Sequence, residues 1–464
     1  MSRCPRLPFA ALALALLAAV AAPAGAADEA PLTLDFTQAH PYAGLGAQLW
    51  LQPPQPAATQ MLRDMNAQFI RISPTPKFLA DDVQPGMTLA QVEQALAAAE
   101  TPAHLQRLAE LRELVASLHL RVHLVFWHMP EAWEDSAQKK AASKKSSHYA
   151  RSDRIDDWAR VVTASILQLE KHGIDPAAVE LTNEPHGAWD VQYTPEQYAD
   201  LVLAARHTLD AAGLQRVRID GPGVGLRNFD DFLRGLEAKH ATASLGFVTG
   251  HAYQPPEQMA DPATPGYASF LGRGRYGPVY ITEFGVKKHN GGPDDAVAAH
   301  DLDLESPRYA VAASAEALML LGHGASAIFY WQLQDRETSK KEHGLLDPAG
   351  RKRPVALAVQ ALFGHVPAGG LTVAATGGDP LVPVEGVLVD GQVHLMMANL
   401  TDTPRPIVAR FAGLLAPRRA VGGEDGFLEQ GGRGPALEGV ALKDGVFRAT
   451  LAPHAVAAVL LTSP

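Results

Sequence analysis

Between Tyr42 and about Gly364 the chain alternates short apolar runs with helical patterns, and this alternation limits the folds open to it. The runs end near Trp50, Ser73, His128, Glu184, Gly221, His251, Glu283 and Trp331. Helical periodicity falls between most pairs, around Ala57–Asn66, His104–Leu118, Ile155–Lys171, Pro195–Ala212, Asp230–Lys239 and Pro307–Leu321, with a last stretch at Pro354–Phe363. Pro262–Tyr276 is rich in Gly and Pro and carries the weakest helical pattern. Strands that alternate with helices pair in parallel, because parallel neighbours need a crossover. Eight such units predict a closed (β/α)₈ TIM barrel, an α/β fold. A doubly wound open sheet is the rival, and no Gly-rich fingerprint opens the first βα turn to support it.

The flanks read differently. Arg3 and Arg6 precede an apolar run from Leu7 to Ala22, followed by Ala24-Gly25-Ala26. A basic end, a short apolar core and a small-residue exit predict a secretory signal peptide over 1–26 and a secreted or periplasmic protein. The run is short for a membrane anchor, which takes roughly twenty apolar residues, so no stable membrane insertion is expected after cleavage. The single cysteine, Cys4, lies in that segment, so the mature chain is expected to use neither disulfides nor thiolate chemistry. Loss of two arginines takes the formal charge from −10 to about −12, a poor basis for binding nucleic acid. Residues 27–366 are then the barrel. Residues 367–464 are expected to form a small antiparallel β-sandwich, from β-type segments at Val382–Val389, Gln392–Ala398, Pro406–Phe411 and Ala449–Leu461. The strand-like Leu32–Phe36 is a candidate to join it.

Two segments carry chemistry. Glu180-Leu-Thr-Asn-Glu-Pro-His-Gly187 and Pro278-Val-Tyr-Ile-Thr-Glu-Phe-Gly285 are apolar strands that end on an acid, Glu184 in strand four and Glu283 in strand seven. Strand C-termini form the rim where barrel active sites are built. An unpaired buried glutamate is costly, so two at one rim need either partners or a purpose. Glycoside cleavage needs such a pair: a proton donor for the leaving oxygen, and a carboxylate that attacks carbon or activates water. Other polar and aromatic residues gather at strand ends: Arg71 in strand two, His128 in strand three, His251 and Tyr253 in strand six, and Trp331 in strand eight. Of six tryptophans, Trp50, Trp127, Trp133, Trp189 and Trp331 lie at strand ends or in βα loops, where flat rings can meet sugar faces.

With these positions in order, the barrel resembles glycoside hydrolase family 5, the cellulase family, within the clan of retaining (β/α)₈-barrel glycosidases. The matches are Asn183-Glu184-Pro185, Glu283, Arg71, His128, His251, Tyr253 and Trp331. Strand one, Gly44–Trp50, looks more like relatives elsewhere in the clan, and only some branches carry a C-terminal β domain. The resemblance implies a secreted retaining β-glycoside hydrolase acting by double displacement on a β-linked poly- or oligosaccharide. It makes Glu184 the acid/base and Glu283 the nucleophile. Arg71 and Tyr253 would contact Glu283, Asn183 would bond the sugar 2-hydroxyl, His128 and His251 would position sugar and carboxylates, and Trp331 would form the floor.

No cofactor or metal is expected. Eighteen histidines include no His-Glu-x-x-His, and no cysteine ligand or acidic calcium-type loop is present. Gly221-Pro-Gly-Val-Gly225 lacks the Lys-Ser/Thr of a P-loop and reads as a turn after strand five. The lysines at 139, 140, 144 and 145 read as a solvated loop. The alternatives are a glycosidase or transglycosylase of another family in the clan, and a non-catalytic carbohydrate-binding barrel.

Overall fold

Eight parallel strands close into a barrel in the computed structural model: Gly44–Leu49, Phe69–Ile72, Arg121–Val125, Pro176–Glu180, Arg218–Gly225, Leu245–Ala252, Val279–Phe284 and Ala325–Tyr330. The structure describes residues 31–50, 56–73, 82–127, 129–130, 133, 148–187, 191–254, 256–259, 276–286, 303–337, 343–413, 417–422, 426–429 and 432–462. The segment expected to be a signal peptide, His128, Trp189, the lysine-bearing loop and nearly all of Pro262–Tyr276 lie outside the described residues. Helices follow where the periodicity places them, including Ile155–Lys171, Pro195–Ala211 and Pro354–Phe363. Thr194 caps one of them with a reciprocal Thr–Gln box, which satisfies two otherwise orphaned N–H groups.

The barrel interior is built in layers, because side chains two residues apart on a strand share a face. Phe69, Phe329, Tyr280, Phe247 and His123 fill the N-terminal end, with Phe247 and Tyr280 stacked at 4.2 Å. Gly46 allows this, since a Cβ there would collide with Phe69 and Phe329. Two residues further on, the register sets Gln48 beside Arg71, one layer closer to the rim. The interior thus changes from aromatic to charged within one pleat.

Two departures from the sequence reading shape the rim. Strand four leaves its ladder at Glu180, not Glu184. Beyond it Asn183 N–H donates to Phe126 O of the strand-three side at 2.8 Å, while Glu184 N–H donates to Gly223 O of strand five at 3.2 Å. Glu184 sits at φ 38°, in the left-handed region that costs a non-glycine residue on the order of 1 kcal/mol or more. That turn of the backbone, not a continued pleat, aims its side chain. The glycine run 221–225 belongs to strand five instead of forming a turn after it. Gly223, at φ 61°, leaves room that a Cβ would take from the Glu180 carboxylate.

The C-terminal region is two antiparallel-rich sheets. Leu32–Asp35 joins one of them, parallel to Ala409–Ala412 in strand Arg405–Ala412. His40–Tyr42 extends the other, beside Gly370–Ala374. The segment read as one β stretch, Ala449–Leu461, is two strands, Val446–Leu451 and Ala455–Thr462. Pro453, which has no N–H, and His454, at φ 42°, turn the chain between them.

Strand Gln392–Asn399 is buried on both faces. Val393, Leu395 and Met397 point into the core between the two sheets, and Met396 and Ala398 pack into the barrel's core. Val387, Phe427 and Val456 do the same beside them, against the side of helices Pro307–Gly322 and Pro354–Phe363. The barrel and the β unit therefore share one continuous apolar interior. At roughly 25 cal/mol per Å² of apolar surface, exposing that face would draw directly on a domain's usual margin of about 5–15 kcal/mol. Truncation after Gly369 is expected to give insoluble protein, and calorimetry of the intact chain a single unfolding transition. A stable, soluble barrel fragment from proteolysis would contradict the shared core.

Candidate active site

Arg71 is fully buried in the mouth of the barrel and uses both terminal nitrogens. One donates to Glu283 Oε1 at 2.7 Å and Gln48 Oε1 at 3.0 Å. The other donates to Glu180 Oε1 at 2.9 Å and Asn183 Oδ1 at 2.8 Å. Burial alone would lower the guanidinium's pKa, but Glu180 and Glu283 raise it further above its already high value. A buried guanidinium is tolerable only with such charged and hydrogen-bonding partners.

Glu283 receives a second donor. The Tyr253 hydroxyl bonds its other oxygen, Oε2, at 2.5 Å. Burial and the charge of Glu283 push the phenol well above its ordinary range, so it stays a neutral donor. His251 stands between the two glutamates, 2.9 Å from Glu184 Oε1 through Nδ1 and 3.5 Å from Glu283 Oε2. A register shift between Gly250 and His251 sets His251 level with Glu283 on the neighbouring strand. Burial lowers the imidazole, but Glu283, Glu180 and Glu184 together raise it to about 9. Glu184 and Glu283 are both buried, and an oxygen of each lies within 4.8 Å of the other.

Three tryptophans line the mouth. Trp50, Trp127 and Trp331 come from the ends of strands one, three and eight, with ring centroids 5.3–5.6 Å apart. All three are half-buried, as a ligand-facing wall requires. Trp331 begins a loop fixed from below by a charged network. Arg353 donates to Asp335 at 2.6 Å, and Asp335 accepts from Gln332 Nε2 at 2.9 Å and from the His343 and Gly344 backbone. Gln332 in turn accepts the Trp50 indole N–H. Trp133 instead lies in the core against Trp158 and is no part of the wall.

The structure thus brings together Arg71, Asn183, Glu184, His251, Tyr253, Glu283 and Trp331. Glu180, Gln48 and the Gln332–Asp335–Arg353 support were not singled out from sequence. Glu180 had a signal, an acid inside an apolar strand four positions before Glu184. Glu184, His251 and Glu283 are also the one group of metal-capable donors among the described residues. Their chemistry suits shared protons better than a cation. A protonated imidazole offers no lone pair at Nδ1, and both oxygens of Glu283 already accept donors, one from a guanidinium.

No protein-family model and no curated protein sequence matches this chain. Solved structures of similar fold do. A glycoside hydrolase family 30 subfamily 8 xylanase from Clostridium acetobutylicum aligns with a TM-score of 0.69 at 14% identity, over 93% of this chain and 100% of its own. A family 30 endoxylanase from Clostridium papyrosolvens gives 0.69 at 15% identity, over 94% and 100%. A family 39 enzyme from Xanthomonas axonopodis pv. citri gives 0.52 at 16% identity, over 96% and 100%. The shared fold takes in the β unit as well as the barrel.

The raised His251 pKa has a consequence for stability. A folded value of about 9 against 6.5 unfolded means the contribution is fully present below pH 6.5 and lost as pH rises through about 9. Replacing His251 by Gln is expected to lower the urea midpoint more at about pH 6 than at about pH 10. Arg71→Met should destabilise by about 3–5 kcal/mol, since it strands buried carboxylates, and a loss under 1 kcal/mol would contradict the ion-pair geometry.

Proposed function

We propose that this chain is a retaining glycoside hydrolase of the (β/α)₈-barrel glycosidase clan, acting on a β-linked glycan. The observation that carries the reading is the close approach of two differently surrounded carboxylates, with oxygens within 4.8 Å. Retaining enzymes hold the pair about 5–5.5 Å apart, and inverting ones about 6.5–9.5 Å to admit a water.

The surroundings divide the roles. Arg71 and Tyr253 each donate to Glu283 and hold it oriented as the nucleophile. Glu184, bonded to His251, is the acid/base. Glu184 protonates the leaving oxygen as Glu283 attacks the anomeric carbon and forms a glycosyl ester. The ester removes the charge of Glu283, so Glu184, having given up its proton, stays ionised; it takes a proton from the incoming water, whose oxygen attacks the anomeric carbon and releases Glu283 as a carboxylate. Asn183, its carbonyl oxygen held by Arg71, directs its amide to the sugar 2-hydroxyl. The tryptophan wall stacks against the sugar ring, with Trp331 as the floor.

The sequence resemblance is to family 5, while the similar folds named above belong to families 30 and 39. Xylan is the first substrate to test, because two of these similar structures are xylanases. A structure of similar fold that is an endo-β-1,6-glucanase makes β-1,6-glucan the second. The basic, apolar and small-residue order of 1–26 supports export before the chain meets such polymers.

Glu184→Gln is expected to lose roughly 10²–10⁴-fold in activity, with folding intact. Glu283→Gln should fall at least as far. Proton NMR of the first product from a β-glycoside should show the β-anomer, and a 2-deoxy-2-fluoro glycoside should label Glu283. Either variant within tenfold of wild type would sink the assignment, and first release of the α-anomer would refute retention.

A further inference from the structure

Glu180 is buried, lies four residues before Glu184, and takes no part in the reaction described above. Its Oε1 is 2.9 Å from Arg71 and 3.7 Å from His251 Nε2. It touches the cation that holds the nucleophile and the cation that holds the acid. The space it needs is reserved, since Gly223 on the next strand has no Cβ to displace it.

The charge count shows what it does. Two cations, Arg71 and His251, face three carboxyl groups, Glu180, Glu184 and Glu283. With one proton on Glu184 the cluster is neutral, which is the state needed for the first displacement. Without Glu180 the cluster is neutral only when that proton has left. Groups this strongly coupled titrate as a unit, and taking a fixed negative charge away lowers every proton affinity in it.

We propose that Glu180 is the fixed counter-ion of the site, a positioning residue that holds Arg71 and His251 in place and leaves Glu184 and Glu283 one proton to share. Its surroundings fit that part. Arg71 reaches it from strand two and His251 from strand six. Asp220 of strand five is occupied by His123 of strand three at 2.8 Å. Tyr198, from helix Pro195–Ala211, is a neutral phenol raised well above its usual range by burial and by Glu180 and Asp220. Burial would raise the Glu180 carboxyl, but Arg71 and His251 hold it below the usual carboxylate range.

The kinetic part of the test rests on the glycosidase reading, and the spectroscopic part does not. Full-length Glu180→Gln and Glu180→Asp are compared with wild type. Nitrogen-15 histidine NMR follows His251 without any substrate, and a pH profile of kcat/KM follows the reaction. In Glu180→Gln the His251 titration is expected to fall by about one unit or more. The basic limb of the profile should move to lower pH with it, while circular dichroism stays unchanged. Glu180→Asp draws the charge back by one methylene and should shift both readouts less, in the same direction. If Glu180→Gln does not fold, the Asp variant decides on the same readouts. An unmoved His251 titration in the folded variant overturns the inference, whatever the activity. A wild-type protein inert on every glycan, with the His251 shift still present in Glu180→Gln, would overturn the glycosidase reading and leave the counter-ion standing.

Discussion

A positive charge sealed inside the barrel organises this molecule. Arg71 is sealed from solvent, and Gln48, Glu180, Asn183 and Glu283 supply the partners of both its terminal nitrogens. These partners come from strands one, four and seven and from the turn after strand four. Their convergence requires the barrel to close in one register. A one-residue slip of strand two would bury Ile70 or Ile72 among carboxylates and turn the guanidinium toward the helices. The same ion pairs that make the fold specific set the ionisation of the site, so stability and chemistry here are one electrostatic problem.

The aromatic wall depends on a second, separate device. Trp331 and Trp50 are held from behind by Gln332 and the Asp335–Arg353 pair, whose side chains are almost entirely buried. A ligand-facing ring stays in place when the residues beneath it are already satisfied. The loop after strand eight achieves this with charge, where the N-terminal end of the barrel uses packed rings.

What the sequence disclosed followed from periodicity. Alternation of apolar runs with helical spacing located all eight barrel strands, and a strand that ends on an acid drew attention to Glu184 and Glu283. What it concealed depended on single dihedral angles and cross-strand neighbours. Nothing local marks Glu184 as left-handed, because that conformation is imposed when its N–H turns from strand three's side to strand five. The glycine run 221–225 looked like a turn because glycine is common in turns, whereas Gly223 is there to spare the Glu180 carboxylate. Ala449–Leu461 reads as one β-type segment because its composition is uniform on either side of Pro453, where the chain turns. Trp133 read as rim because loop position in the chain does not report burial.

The pairing of Leu32 with Ala409 carries a consequence for how this chain comes into being. The first described strand has no strand partner until nearly the whole polypeptide has emerged, and its sheet is finished only when Val446–Leu451 arrives. A barrel with local βα units can begin to assemble early, but this chain cannot complete its last sheet from the front. The first and last described strands, Leu32–Asp35 and Ala455–Thr462, belong to one small β unit, which acts as a clasp over the barrel's flank.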